Sequence, residues 1–353
     1  MRLDKNELTK KISQMKSILP KNPSMGALQG ILLKDGYVTA SNTEVTVKAK
    51  LEGVEGCPGV IPAKMIDFIS SLPAGDMVLD FHQDMVVLEM GEIKNKFKTF
   101  PADGFAYERQ NFSGQMLTSV SAARLKKAMG HVINAIPTGS NNQMMNGMYF
   151  ECKSGRLNIV GLDGHRAVWD SLELDGDFQF IVPKATVEKL LQLDLNGDIR
   201  ISCDQYAAIF ETEDYEVYTR LIDGNYFAYR KMFIFGEIHT SIEKKLLVDA
   251  INRAKLCGSL EDKVPVGLDI KGTAIQITYK SLFTNYQEEV PLQTDVGEGL
   301  RIAFNPKFLL DSLKVFENDK VQLIFTSAKF PVAIKADDSD MTALVLPVNF
   351  KEA

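Results

Sequence analysis

The stretch Phe178-Gln179-Phe180-Ile181-Val182-Pro183-Lys184-Ala185-Thr186-Val187 reads as a short apolar strand with a proline where an amphipathic helix would begin. Proline favours that position because its missing N–H would be unpaired there anyway. The same junction recurs at Gly59-Val60-Ile61-Pro62-Ala63-Lys64-Met65 and at Ile302-Ala303-Phe304-Asn305-Pro306-Lys307-Phe308, with prolines 121 and 123 residues apart. Other landmarks keep that period. Hairpin signals fall at Gly36, Gly155 and Gly272, spaced by 119 and 117, and strand openings at Asp76, Asp198 and Asp319, spaced by 122 and 121. Helices starting around Leu8, Leu125 and Leu246 are 117 and 121 apart. Four landmarks in one order, three times over, define a repeat of domain size. The 353 residues therefore divide into expected domains at 1–116, 117–237 and 238–353.

Within each unit the residue pattern gives one strand, one helix and three strands, twice. In the first, Leu8, Ile12 and Met15 share one face of a helix over 4–18; strands are expected near 27–33, 37–41, 45–51 and 58–61. A helix over 62–72 and strands at 77–82, 85–90 and 94–100 complete it. Helices over 121–136, 183–193, 242–256 and 306–316 follow in the later units. Strands outnumber helices and turns are short, so the expected class is α+β, with two helices per unit packed on antiparallel sheets.

At 45% apolar and 24% charged, each unit has enough apolar residues for a core. No basic leader and no run of eighteen apolar residues is present, so a cytoplasmic location is expected. Cys57, Cys152, Cys203 and Cys257 are far apart and read as reduced, buried thiols, and His82, His131, His165 and His239 are equally dispersed. No metal site or cofactor is expected.

A net charge of −6 argues against nucleic acid until its distribution is considered. The six helical stretches sum to +9, which leaves −15 for the remainder. Lysine favours helices, which explains part of this segregation. The rest suggests a basic helical surface against an acidic exterior, suited to holding a polyanion by its backbone without base readout.

The residues also resemble a family. Leu162-Asp163-Gly164-His165-Arg166 is similar to the threonine-aspartate-glycine-histidine-arginine signature of the bacterial DNA polymerase III beta subunit, or sliding clamp, family. Leu221-Ile222-Asp223-Gly224 running to Tyr229-Arg230 resembles another of its segments. Phe100-Pro101-Ala102-Asp103-Gly104-Phe105 resembles its first interdomain linker, and Phe304-Asn305 to Leu313 a helix of its third domain. Leu344-Val345-Leu346-Pro347-Val348 resembles its C-terminal tail. The likeness covers essentially the whole chain.

The resemblance implies a head-to-tail homodimeric ring around duplex DNA that catalyses nothing. It would hold the replicative polymerase to its template and dock the clamp loader and other motif-bearing proteins. The implied peptide pocket comprises Met145, Leu162, Gly164, His165, Arg166, Ala167, Phe227, Lys231, Met232, Asn305, Phe308, Leu344, Val345, Leu346, Pro347 and Val348. The DNA-facing cations would be Lys10, Lys21, Lys126, Lys127, Lys184, Lys245 and Lys255, and the dimer interface Phe105 and Tyr107 against Leu256 and Cys257, with edge pairing from 95–100. Several positions depart from the family pattern: Leu162 replaces threonine, Phe227 proline, Lys231 arginine and Asn349 a basic residue. Gln143 and Met144 replace a tyrosine-rich stretch, and Asn22 an arginine. A pocket altered in this way is expected to take a modified peptide motif.

Two rivals share parts of this pattern. A three-domain scaffold that binds proteins without encircling DNA would have the repeats but no need of the charge segregation. An enzyme would use Asp163, His165 and Arg166, yet the sequence places no nucleophile, phosphate loop or second carboxylate beside them.

Overall fold

The computed structural model describes residues 1–20, 26–56, 58–105, 112–258, 264–281, 283–297 and 299–349. The chain runs β1 (Arg2–Asp4), α1 (Lys5–Met15), β2 (Gly30–Lys34), β3 (Tyr37–Ser41), β4 (Val45–Lys50), β5 (Gly59–Pro62), α2 (Ala63–Ser71), β6 (Asp76–Phe81), β7 (Met85–Met90) and β8 (Ile93–Lys98). The same order returns as β9 (Gln115–Ser121), α3 (Ala122–Val132), β10 (Gly147–Lys153), β11 (Arg156–Leu162), β12 (Arg166–Glu173), β13 (Phe178–Pro183), α4 (Lys184–Gln192), β14 (Asp198–Cys203), β15 (Ala207–Glu211) and β16 (Tyr215–Arg220). It returns again as β17 (Ile238–Glu243), α5 (Lys244–Leu256), β18 (Val266–Lys271), β19 (Ala274–Lys280), β20 (Asn285–Pro291), β21 (Leu300–Phe304), α6 (Pro306–Lys314), β22 (Lys320–Phe325), β23 (Val332–Lys335) and β24 (Thr342–Val345).

Local chemistry explains the joints. Asp35 and Gly36, at φ 52° and 79°, and Ser154 and Gly155, at 54° and 75°, form paired left-handed turns whose twist matches the strands they connect. Asp4 accepts from the Glu7 N–H at 2.9 Å and so caps α1. The three residues before the helix pair with β6 as a strand, which the polar start at Asp4 did not disclose. The strand expected from residue 27 begins at Gly30, because Ala27 and Leu28 lie in a 3-10 turn and pack with Leu32, Val60 and Phe105. An apolar run does not distinguish such a turn from a strand.

The described chain separates into two compact units. In the first (Met1–Lys126 with Ala185–Ile222), β1-β6-β7-β8 form a four-stranded sheet and β5-β2-β3-β4-β16-β15-β14-β9 an eight-stranded one, antiparallel throughout. Leu8, Ile12 and Met15 of α1 and Met65, Ile66 and Ile69 of α2 are buried where these helices pack together. In the second (Lys127–Lys184 with Asp223–Ala353), the eight-stranded order is β13-β10-β11-β12-β24-β23-β22-β17 and the four-stranded order β20-β19-β18-β21. Here α5 packs on α6 and on β19 and β20.

The strands β4, β8, β12, β16, β20 and β24 close the successive strand-helix-three-strand blocks. Of these, β4 pairs with β16 and β12 with β24, and each pairing joins two four-stranded halves into one sheet. β8 and β20 instead end their sheets with no strand beyond them among the described residues. No helix among those residues is long and apolar enough to cross a membrane.

Candidate functional site

The turn between β11 and β12 is built on Asp163. Its Oδ1 accepts from the backbone N–H groups of His165 and Arg166, both at 3.0 Å, and its Oδ2 accepts from Arg166 Nε at 3.0 Å. Gly164 supplies the left-handed residue at φ 82°. The far side of the guanidinium donates to Asp311 Oδ2 at 2.8 Å, fastening the hairpin to α6. Phe308, on the same helix, lies 4.9 Å from that guanidinium and stacks on the His165 ring at 5.3 Å. Both Asp163 oxygens are thereby occupied and Arg166 sits between two carboxylates, an arrangement that braces the turn against α6.

The C-terminal strand completes this corner. β24 pairs with β12 so that Leu344 faces Ala167 and Val345 faces Arg166. Leu346 N–H then donates to His165 O and Val348 N–H to Ala303 O, each at 2.8 Å. Asn305 caps α6 by accepting from Lys307 N–H at 2.9 Å. Leu162, Ala167 and Leu344 are buried on one face of the sheet and form a floor, and Val345 is buried on the opposite face, whereas Leu346 at 38% and Val348 at 37% are exposed.

A segment leading from β16 supplies the other wall. Tyr226 stacks on Tyr149 at 4.4 Å, and Phe227 sits edge-on to Tyr226 at 5.3 Å. A Cβ on Gly224 would meet Met144 Sδ at 3.1 Å, which places the 3-10 turn Gln143–Asn146, and with it Met145, beside this segment. Lys231 and Met232 are exposed at the end of a short 3-10 turn, Tyr229–Lys231. All of the expected pocket residues thus fall within the second unit.

Sequence reasoning missed two groups here. Asp311 is 145 residues from Arg166, and nothing in its local pattern announces the pairing. The second group is centred on Glu151, which accepts from the Tyr229 hydroxyl at 2.7 Å and from Arg230 Nη1 at 3.0 Å. Burial pushes the Glu151 carboxyl up, but those two donors outweigh it and hold the group below its ordinary range. Burial and the neighbouring Glu151 push the Tyr149 phenol up to about 12. Tyr229 and Phe233 set their edges against Trp169 at 5.2 and 5.3 Å, pinning the segment down.

The expected DNA-facing lysines are mostly engaged. Lys10 pairs with Asp194 at 3.0 Å, Lys127 with Glu317 at 2.6 Å and Lys245 with Asp249 at 2.5 Å. Lys126 donates to Leu193 O at 2.6 Å, and Lys184 to Ile136 O at 2.7 Å. Lys255 and an unforeseen cation, the exposed Arg124 of α3, have no ion pair among the described residues; Lys21 lies outside them.

Of the expected interface residues, Tyr107 also lies outside the described set. Leu256, the last residue of α5, is 84% exposed, and Cys257 caps that helix half-buried. Phe105 departs from expectation: it is only 6% exposed and packs with Ala27, Leu28, Leu32 and Val60, so its ring is committed within its own chain. Phe283, in the turn before β20, is 94% exposed and had no sequence signal beyond being apolar in a loop.

Known proteins share this architecture. Residues 119–227 match the central domain of the DNA polymerase III beta subunit family, and residues 236–349 its C-terminal domain. A beta sliding clamp of Streptococcus pneumoniae serotype 4 is 29% identical over 298 residues, covering 80% of this chain and 78% of that protein. A beta sliding clamp of Pseudomonas aeruginosa is 22% identical over 367 residues, covering 98% of each. A crystal structure described as a putative DNA polymerase III beta subunit of Eubacterium rectale superposes with a TM-score of 0.90 at 26% identity, covering 99% of both chains.

Proposed function

Because the chain belongs to the DNA polymerase III beta subunit family, we propose that it is a DNA sliding clamp, a ring that encircles duplex DNA and keeps the replicative polymerase on its template. The observation that carries the ring is the pair of open strands. Closing strands β4 and β16, and β12 and β24, already join half-sheets, which leaves β8 and β20 as the two that lack a partner among the described residues. A second copy set head to tail would pair β8 of one chain with β20 of the other and close two more eight-stranded sheets. Charge favours that pairing over either strand with itself, since β8 carries Lys96 and Lys98, and Lys94 paired to Glu89, while β20 carries Glu289, and Glu288 paired to Arg253.

In this reading the three domains are 1–116, 117–237 and 238–353, a division supported by the matched spans 119–227 and 236–349. Duplex DNA is held by its backbone through helix cations, among them Lys10, Lys126, Lys127, Lys184, Lys245 and Lys255, and the protein turns nothing over. Its effect is topological: a tethered polymerase meets its template at high effective concentration. The corner built from the β11–β12 turn, β24, the start of α6 and the Phe227–Met232 segment docks short peptides of the polymerase, the clamp loader and other cytoplasmic partners. Exposed Met232 and Leu346 offer adaptable apolar contact over the buried floor.

Small-angle X-ray scattering tests the ring. A dimer whose pair-distance distribution is depleted at the centre is expected, together with monomers for Leu256→Asp. A wild-type monomer at micromolar concentration would put a non-encircling scaffold in its place.

A further inference from the structure

A cavity of about 750 Å³ opens in the second unit beside Trp169, on the face of β12 that also carries Ser171. The opposite face carries Asp170, bound to His131 of α3 at 2.7 Å. Arg156 is paired with Asp340 at 2.8 Å and Arg230 with Glu151 at 2.5 Å, both within the lining. Lys153 and Lys335, which also line the cavity, have no ion pair among the described residues. Four cations against two carboxylates make this opening positive in a chain of net charge −6.

We infer that the cavity is an extension of the peptide pocket, taking the acidic flank of a partner peptide whose apolar anchors sit in the pocket; the inference rests on the pocket reading above. Continuity is the first reason. The pair Ala167–Leu344 belongs to the pocket and the pair Trp169–Thr342 to the cavity, two residues along the same strands and on the same face. That offset is roughly 7 Å, within reach of one extended peptide. The pocket and the cavity also share a wall. Arg230 and Phe235 line the cavity, and Lys231 and Met232 of the pocket reading lie exposed between them in sequence, at the end of the turn Tyr229–Lys231.

Chemistry selects the occupant. Lys153 and Lys335, the latter resting 4.1 Å over the Phe235 ring, would pair with carboxylates, and Ile234 at 73% exposed would cover apolar side chains between them. Single-stranded nucleic acid fits less well. Trp169 is boxed by Tyr229 and Phe233 with Arg230 over its ring at 5.9 Å, leaving no open platform for a base.

Trp169 is the single tryptophan of the chain, so its emission reports on the cavity directly. The test uses synthetic peptides sharing one apolar anchor sequence of leucine and phenylalanine, ending there or extended by a run of glutamates before or after it. Calorimetry should give about five- to tenfold tighter binding for an extended peptide at low salt, an increase of the size expected for exposed charge pairs. Only the extended peptide should shift Trp169 emission. The double variant Lys153→Glu, Lys335→Glu should lose that increase and keep the affinity for the unextended peptide. Equal affinities with unmoved Trp169 emission would overturn the extension and leave the pocket standing. Failure of every peptide to bind would overturn both readings. An oligothymidylate that moves Trp169 emission where the glutamate peptides do not would assign the cavity to nucleic acid and overturn the proposal.

Discussion

Arg166 sits between two carboxylates, 3.0 Å from Asp163 and 2.8 Å from Asp311, with only a tenth of its side chain exposed. Removing it leaves both acids facing one another without the cation, and severing a largely buried pair costs about 3 kcal/mol. Arg166→Ala should therefore lower the melting temperature in calorimetry and weaken peptide binding together, because the β11–β12 turn loses its tie to α6. Asp311→Asn, which keeps a hydrogen-bond acceptor, should do less of both. Glu151 gives a second residue-scale prediction, in pH. Its carboxyl is held below the unfolded value, about 4.3 for glutamate, so its stabilising effect is present above that value and is lost as pH falls through the folded one. Tyr149 works the other way: raised to about 12, it stabilises below its unfolded value and ceases to do so as pH rises through about 12. Trp169 emission should stay constant through neutrality and shift in acid before the far-UV circular dichroism changes. Glu151→Gln should flatten the acid arm; an unchanged acid arm in that variant would detach Glu151 from the docking of this segment.

Elements were more legible than their partners. The proline junctions at 62, 183 and 306 and the helix faces placed the starts of all six helices to within two residues, because proline and amphipathic spacing act locally. The ends were harder. Residues 16–18 and 133–135 close their helices as 3-10 turns, and β1 is three residues long, too short to show alternation. For the candidate site, the residues of the β11–β12 turn were legible as a motif. Asp311 and the Glu151 group were not, since a pairing across 145 residues leaves no trace in local spacing. The lysines of β8 were visible and the resemblance already implied edge pairing from 95–100; the sheet order leaves this strand with none beyond it among the described residues. Lysine on an edge discourages indiscriminate pairing, so in the proposed ring the acidic β20 is the complement such an edge would accept. Lys94→Glu with Lys96→Glu should give monomers by sedimentation, and adding Glu288→Lys with Glu289→Lys should restore the dimer. Failure of that rescue, with each variant still folded, would move the interface elsewhere.

For the proposed ring as a whole, the state of its lysines matters more than their number. Lys10 and Lys127 each meet a carboxylate before any phosphate arrives; Asp194 holds the Lys10 ammonium up, and Lys127 holds the Glu317 carboxyl down. A phosphate must displace that carboxylate, so each engagement with DNA is an exchange of similar exposed pairs, and such pairs contribute little individually. A clamp built this way holds DNA weakly and shifts along it easily, which sliding requires, and leaves retention to ring closure. Freeing the lysines should change affinity and retention differently. Asp194→Asn and Glu317→Gln should each tighten binding to short linear duplex and steepen its logarithmic salt dependence by about 0.9 for every additional phosphate neutralised. On covalently closed circular DNA loaded by the clamp loader, the lifetime should change little, because escape there requires the β8–β20 junction to open. If the freed lysines lengthened the lifetime on circles as much as they tightened binding to linear duplex, retention would be electrostatic and the topological account would fail.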